Sequence, residues 1–340
     1  MARYYDKFIP QNTAFTDTKR IGLYDSSGNR IVSIHLGNLA LPSNRGIKLY
    51  SSGLIADIHI GESTADEDYE RALTYFNDTV DFVCECGDLI HGITSAKAQE
   101  QIQQYIECRK SAKIPVYACS GNHDGAYVTN VESVISTYTG KPLYYSFEQG
   151  NDIFIFVGNV SSTNGSLFTK AELQWLYETL EANRNKRCFL FQHVRPDDAC
   201  GNALGIYVYD VWGGTEATVF ESLLRHYHNV ILFHGHSHLK FDMQQYSELA
   251  NIDRNFGCWS VHIPSLGLPR TTASLVNPSI TSVYADSEGY MMDVYKNGLH
   301  LKGIDFIKGE FLPIASYWLD TTLVNIPEKT YVDSTGTITT

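Results

Sequence analysis

The chain switches repeatedly between two hydrophobic periods. Gly53-Leu54-Ile55-Ala56 is a short continuous apolar run of the kind a buried strand shows, and a helical pattern follows from Asp66 to Thr79, with Thr64 or Asp66 available as a cap. Asp81–Cys86 and Ile114–Cys119 repeat the strand signal around a helical stretch from Ser95 to Ala112. Further strands are predicted at Ile153–Val157, Cys188–Gln192 and Val230–Phe233, and helices at Thr169–Asn183, which carries Trp175, and Glu216–Tyr227. Strands alternating with helices predict βαβ units and the α/β class. The last third, Phe241 to Ile307, reads as β-like segments at Trp259–Ile263, Ser282–Ala285, Tyr290–Tyr295 and Leu299–Ile307, expected to form a second sheet packed on the first.

The ends have a different texture. Arg20–Tyr24 and Arg30–Leu36 flank the turn Asp25–Asn29, so residues 1–47 are expected to form a β-hairpin arm. After Gly309 the sequence is rich in Thr, Ser and Val, with few large apolar residues beyond Trp318. The division expected is an arm (1–47), a catalytic domain (48–308) and a tail or linker (309–340), with no internal repeat.

Composition narrows the function classes. Of the 340 residues only 19% are charged, and 26 Lys+Arg against 38 Asp+Glu leave a net charge of -12. Such a molecule repels polyanions as a whole, which disfavours long nucleic acid and lipid surfaces as partners. Seven cysteines without a Cys-x-x-Cys pair fit neither a disulfide framework nor a zinc ribbon and are expected as reduced, buried thiols. The start, Met1 to Lys7, has no apolar leader, and no run reaches the ~18 apolar residues of a spanning helix. Cytoplasmic synthesis without a signal peptide and no membrane insertion are the expectations.

In open α/β sheets ligands gather at the carboxyl ends of strands, and here those positions are rich in metal-ligating residues. Asp57-Ile58-His59 follows the first strand, Gly87-Asp88 the second, Gly121-Asn122-His123-Asp124 the third, and Gln192-His193 ends another. The strand at Val230 leads into His234-Gly235-His236-Ser237-His238. Each fragment alone is commonplace. Together, five strand ends deliver carboxylates, an amide and imidazoles to one edge with no thiolate among them, which selects an oxygen/nitrogen site for Mn, Fe, Zn or a similar ion.

The order Asp-x-His, Gly-Asp, Gly-Asn-His-Asp, His, Gly-His-x-His resembles the calcineurin-like metallophosphoesterase superfamily, over about residues 53–240. The resemblance implies a four-layer α/β/β/α sandwich and two transition-metal ions. One would be held by Asp57, His59, Asp88 and His238, the other by Asp88, Asn122, His193 and His236, with Asp88 and a water bridging them. That water, made acidic by both cations, is the expected nucleophile. His123 is expected to protonate the leaving group, and Asp124 to orient His123 or a ligand histidine.

Other residues carry weaker expectations. His91 is open between a phosphate contact and a structural role, and His234 is expected behind the ligands. His226 and His228 cap a helix, and His35, His262 and His300 have surface or packing roles. The loop Asp197–Thr215, with Tyr209 and Trp212, is expected to form a substrate-selecting rim. The function implied is phosphodiester hydrolysis on a small or locally presented substrate. The alternatives are a phosphomonoesterase, a nucleotide pyrophosphohydrolase, a nuclease, or a non-catalytic component of a larger assembly. The termini are candidate contacts for a homo-oligomer or a particle such as a phage.

Overall fold

The computed structural model describes residues 3–6, 20–24, 30–35, 41–42, 45–159, 168–196, 199–201, 215–242, 251–272, 280–282, 286–321, 331–332 and 338–339. Strands β1 (Arg3–Asp6), β2 (Arg20–Tyr24) and β3 (Arg30–His35) pair antiparallel in that order, so the expected hairpin gains a third strand.

The body follows as β4 (Lys48–Ile55), α1 (Ala65–Asn77), β5 (Phe82–Cys86), α2 (Ser95–Cys108), β6 (Val116–Cys119), α3 (Asn122–Ala126), α4 (Val131–Thr139), β7 (Tyr145–Gln149) and β8 (Asp152–Phe156). It continues with α5 (Lys170–Ala182), β9 (Arg187–Phe191), α6 (Thr215–His226), β10 (Val230–His234), β11 (Ile252–Asp253), β12 (Trp259–His262), β13 (Arg270–Thr272) and β14 (Ile280–Ser282). Strands β15 (Glu288–Tyr295), β16 (Gly298–Asp305), β17 (Glu310–Asp320), β18 (Tyr331–Val332) and β19 (Ile338–Thr339) close the chain. The helix expected from Ser95 ends at Cys108 and passes into one 3-10 turn, Arg109–Ser111. Helices α3 and α4 and strand β7 lie where no element was expected. Of the expected strand Ser282–Ala285, residues 283–285 lie outside the described residues.

Two six-stranded sheets dominate, ordered β17-β16-β15-β4-β5-β6 and β11-β12-β10-β9-β8-β7. The last third therefore does not build the second large sheet by itself; apart from the two-stranded pair β13-β14 it adds strands to both large sheets. Strands β15, β16 and β17 extend the first sheet antiparallel from β4, while β11 and β12 extend the second beyond β10. Strand β17 also carries the sheet past the division expected at 308, because Ala315, Tyr317 and Leu319 alternate into the core.

Strict alternation on strands buried on both faces produces the layers. Phe189 and Phe191 of β9 and Ile231 and Phe233 of β10 face the first sheet, meeting Leu54, Phe82 and Met292. Their neighbours Cys188, Leu190, Val230 and Leu232 face α5 and α6 instead. On the first sheet Ile55 and Val83 pack under α1 and α2, whose buried residues recur at helical spacing, as in Tyr69, Ala72, Leu73 and Phe76. The result is the expected order helix, sheet, sheet, helix. Between the sheets, Phe154–Phe189, Phe156–Phe191 and Phe191–Phe233 stack across neighbouring strands at 4.6, 4.7 and 4.9 Å.

One buried polar group ties the sheets together. Arg187 grips Asp152 through Nε (3.0 Å) and Nη2 (2.6 Å), and its Nη1 donates to the Tyr295 carbonyl at 2.8 Å. Tyr50, on the first sheet, donates to Asp152 Oδ2 at 2.5 Å. Removing one partner strands a charge in the interior, so Asp152→Ala is expected to lower unfolding free energy by about 3–5 kcal/mol in urea titrations. An unchanged midpoint and slope would show that the clamp holds nothing.

Candidate metal centre

The parallel ladder continues past the ends of the strands, and this continuation places the site. Asp57 N donates to the Gly87 carbonyl at 3.0 Å and His59 N to that of Asp88 at 2.9 Å, locking the loops after β4 and β5 together. Gly235 N donates to His193 O at 3.1 Å, extending the β10–β9 ladder of the second sheet in the same way. Six non-glycine residues among those described have positive φ, and five of them are Asp57, His59, Asp88, His236 and His238. Left-handed backbone is costly for such residues and persists only where the surroundings enforce it. Here it turns successive side chains of three loops toward one point.

The two carboxylates are fully buried. The ligand atoms of Asp57, His59, Asp88 and His238 lie within 4.8 Å of one another, and so do those of Asp88, His193 and His236; Asp88 is common to both groups. Two glycines make the room. A Cβ at Gly121 would stand 2.2 Å from Asp88 Oδ1, and one at Gly235 would stand 2.4 Å from Asp57 Oδ2. Backbone amides then aim the carboxylates: His123 N donates to Asp88 Oδ1 (2.8 Å), and His236 N to Asp57 Oδ2 (3.0 Å).

Each histidine is oriented by the nitrogen that faces away from the carboxylates. His193 Nδ1 donates to the Cys86 carbonyl at 2.7 Å, leaving Nε2 3.1 Å from Asp88 Oδ2. His238 Nδ1 donates to the Leu268 carbonyl at 2.9 Å, with Nε2 3.1 Å from Asp57 Oδ1. His59 and His238 bring their Nε2 atoms within 3.0 Å of each other, as co-ligands of one ion would.

The donor set fits transition-metal cations. Asp88 Oδ2, Asn122 Oδ1 and His193 Nε2 are buried without a hydrogen bond, and oxygen and imidazole donors suit Mn, Fe or Zn. Protons otherwise carry the balancing charge. Burial drives the His193 imidazole down, and the charges of Asp88 and Asp57 overcome it, leaving it up at about 10. Burial opposes the Asp57 carboxylate, and His238 and His193 outweigh it, holding it below the usual range. A cation entering here therefore displaces protons.

The sequence model described as calcineurin-like phosphoesterase matches residues 52–240, more than half of the chain. The chain belongs to this family. No curated protein matches it. Among solved structures, a purple acid phosphatase from yellow lupin (Lupinus luteus) seeds superposes with TM-score 0.55 at 15% identity, covering 89% of this chain. This chain spans only 59% of that phosphatase's length. GAP50, the anchor in the inner membrane complex of Plasmodium, superposes with TM-score 0.50 at 14% identity, over 83% of this chain and 90% of its own. At such identities the likeness is one of fold. Among the described residues no helix is long and apolar enough to cross a membrane.

Within this calcineurin-like phosphoesterase the other expected site residues are placed as follows. His123 lies beside the cluster, its Nδ1 donating to the His91 carbonyl at 2.6 Å and its Nε2 4.0 Å from Asp88 Oδ2. Asp124 serves neither His123 nor a ligand histidine. Its carboxylate accepts from Leu89 N (3.0 Å), Ile90 N (3.1 Å) and Gly121 N (2.7 Å), clamping the Asp88 loop. Burial and the Asp88 charge push this carboxyl up to about 7, against those three amides. His91 faces Glu62 and His59. Tyr209 and Trp212 lie outside the described residues.

His234 sits behind the ligands on Ser260 and Cys200, as expected. His262, expected only to pack, is buried and shares a 2.7 Å hydrogen bond with Ser237, the residue between His236 and His238. His300 pairs with Ser316. Ser237 and His262 stand twenty-five residues apart, so no local spacing marks them as partners.

Asp88→Asn, which removes the charge common to both groups, is expected to lose bound metal and activity together in a protein with an unchanged circular dichroism spectrum. Two equivalents of metal retained by that variant, measured by elemental analysis, would contradict the shared role.

Proposed function

We propose that this chain is a phosphoester hydrolase, foremost a phosphodiesterase, working with two transition-metal ions that share Asp88. The observation that carries the reading is the membership of Asp88 in both ligand groups. Asp57, His59, Asp88 and His238 would hold one ion, and Asp88, Asn122, His193 and His236 the other. Such a pair supplies Lewis acidity at phosphorus and a water acidic enough to attack it.

The chain's own residues do the rest. The hydrogen bond to the His91 carbonyl fixes the His123 ring. Its Nε2 is thereby presented on the Asp88 side, where the protonated ring hands a proton to the departing oxygen while Nδ1–H stays on the carbonyl. Asp124 holds the Asp88 loop rigid through three backbone amides. Among the described residues every ion pair of Asp57 and Asp88 is with a histidine and none is with a lysine or arginine. A singly charged diester suits that setting better than a doubly charged monoester. The net charge of -12 favours small or locally presented substrates over long nucleic acid.

The test is turnover of bis-p-nitrophenyl phosphate, p-nitrophenyl phosphate, cyclic nucleotides, glycerophosphodiesters and single-stranded DNA with Mn²⁺, for wild type and His123→Ala. Small diesters are expected to give the highest kcat/KM. The variant should keep its metal and lose about 10²–10⁴-fold on alkyl leaving groups, and less on p-nitrophenolate, which needs little protonation. An equal loss on good and poor leaving groups would remove His123 from the acid role. A kcat/KM on single-stranded DNA or on the monoester far above every small diester would replace the substrate class.

A further inference from the structure

His59 differs from the other buried imidazoles of the site in what holds it. His193 and His238 each give Nδ1–H to a backbone carbonyl. The Nε2 of His59 faces His238 Nε2 at 3.0 Å and Asp88 Oδ2 at 3.6 Å, so its lone pair belongs to the ligand cluster and its proton to Nδ1. That Nδ1 meets His91 Nδ1 at 3.3 Å. A ring nitrogen accepts only when its own proton is on the other nitrogen. His91 Nε2 lies 3.0 Å from Glu62 Oε1, and a carboxylate there requires Nε2–H. All three contacts agree on one set of proton positions.

We propose that Glu62 and His91 are positioning residues, forming a carboxylate–imidazole–imidazole chain in which Glu62 fixes the tautomer of His91 and His91 orients His59 toward its metal. The inference rests on the metal-dependent reading of the site, but it concerns ligand orientation and not the reaction. It also gives the His91 side chain a task other than phosphate contact. Its main-chain carbonyl simultaneously holds His123, so one residue sets the direction of both a ligand and the expected acid. Glu62 and His91 are about one-fifth exposed, at 21% and 20% of their side chains, so replacing them opens no cavity in the core.

The experiment is Zn²⁺ titration of chelator-stripped protein against a chromophoric chelator, for wild type, Glu62→Ala, His91→Ala, His91→Asn and the Glu62→Ala/His91→Asn double variant. His91→Ala and Glu62→Ala should each weaken one of two zinc sites by ~10–100-fold, the usual effect of losing an orienting partner. His91→Asn should bind near wild type, because its amide oxygen takes the place of Nδ1 and accepts from His59 without help. In that background Glu62→Ala should cost nothing further. In zinc-loaded wild type, long-range ¹H–¹⁵N spectra should put the His91 proton on Nε2.

Equal losses from Glu62→Ala in both backgrounds, unchanged affinities throughout, or an Nδ1–H tautomer would overturn the chain. So would three zinc equivalents falling to two in His91→Ala, which would make His59, His91 and His123 a third metal site. Zinc uptake with these couplings but no turnover of any phosphoester would sink the hydrolase reading and leave the chain standing. Normal turnover with unmoved affinities would do the reverse, and no zinc uptake by wild type would sink both.

Discussion

Two ionised carboxylates held at zero exposure at the ends of adjacent parallel strands set the terms for the rest of this structure. Isolated, each would cost several kcal/mol of lost hydration. Imidazoles at 3.1 Å, backbone amides aimed at their oxygens and the room left by Gly121 and Gly235 make the burial tolerable. The same compensation leaves Asp88 Oδ2, Asn122 Oδ1 and His193 Nε2 without hydrogen bonds. A centre so built is a candidate cation site, because positive charge is what would best complete it.

The sandwich exists to hold that edge still. Alternation along doubly buried strands makes three apolar layers, and the aromatic stack between the sheets fixes how closely they approach. The Arg187–Asp152–Tyr50 clamp adds a directional bond where packing alone has none. The strained backbone is concentrated at the ligands. Left-handed φ at Asp57, His59, Asp88, His236 and His238 is sustained by the cross-loop ladder of Asp57 N to Gly87 O and His59 N to Asp88 O.

Orientation of the imidazoles divides the site into two kinds of support. Carbonyls of Cys86, Leu268 and His91 hold His193, His238 and His123, and a carbonyl accepts in every protonation state. His59 instead meets the His91 ring at 3.3 Å, and His91 in turn meets Glu62 at 3.0 Å. The site thus combines three rings fixed by backbone dipoles with one that meets another side chain.

The amino-acid sequence by itself determined most of the alternation of strands and helices from Lys48 to His234, α3, α4 and β7 excepted, and the residues brought to the shared edge, because both follow from local periodicity and from what comes directly after each strand. It could not determine where the last third goes. Strand Glu310–Asp320 falls in the stretch expected as a tail, and its role shows only when β16 offers it a partner and the alternate residues Ala315, Tyr317 and Leu319 turn inward. Nor could it assign Asp124 to the amides of Leu89, Ile90 and Gly121, pair Ser237 with His262, or turn His91 toward Glu62 and His59. Apart from the local bond between Gly121 and Asp124, those are contacts between segments some twenty-five or more residues apart, and spacing carries no information about them. Only the tertiary structure sets their distances, and a hydrogen bond is decided by tenths of an ångström and by which nitrogen holds the proton.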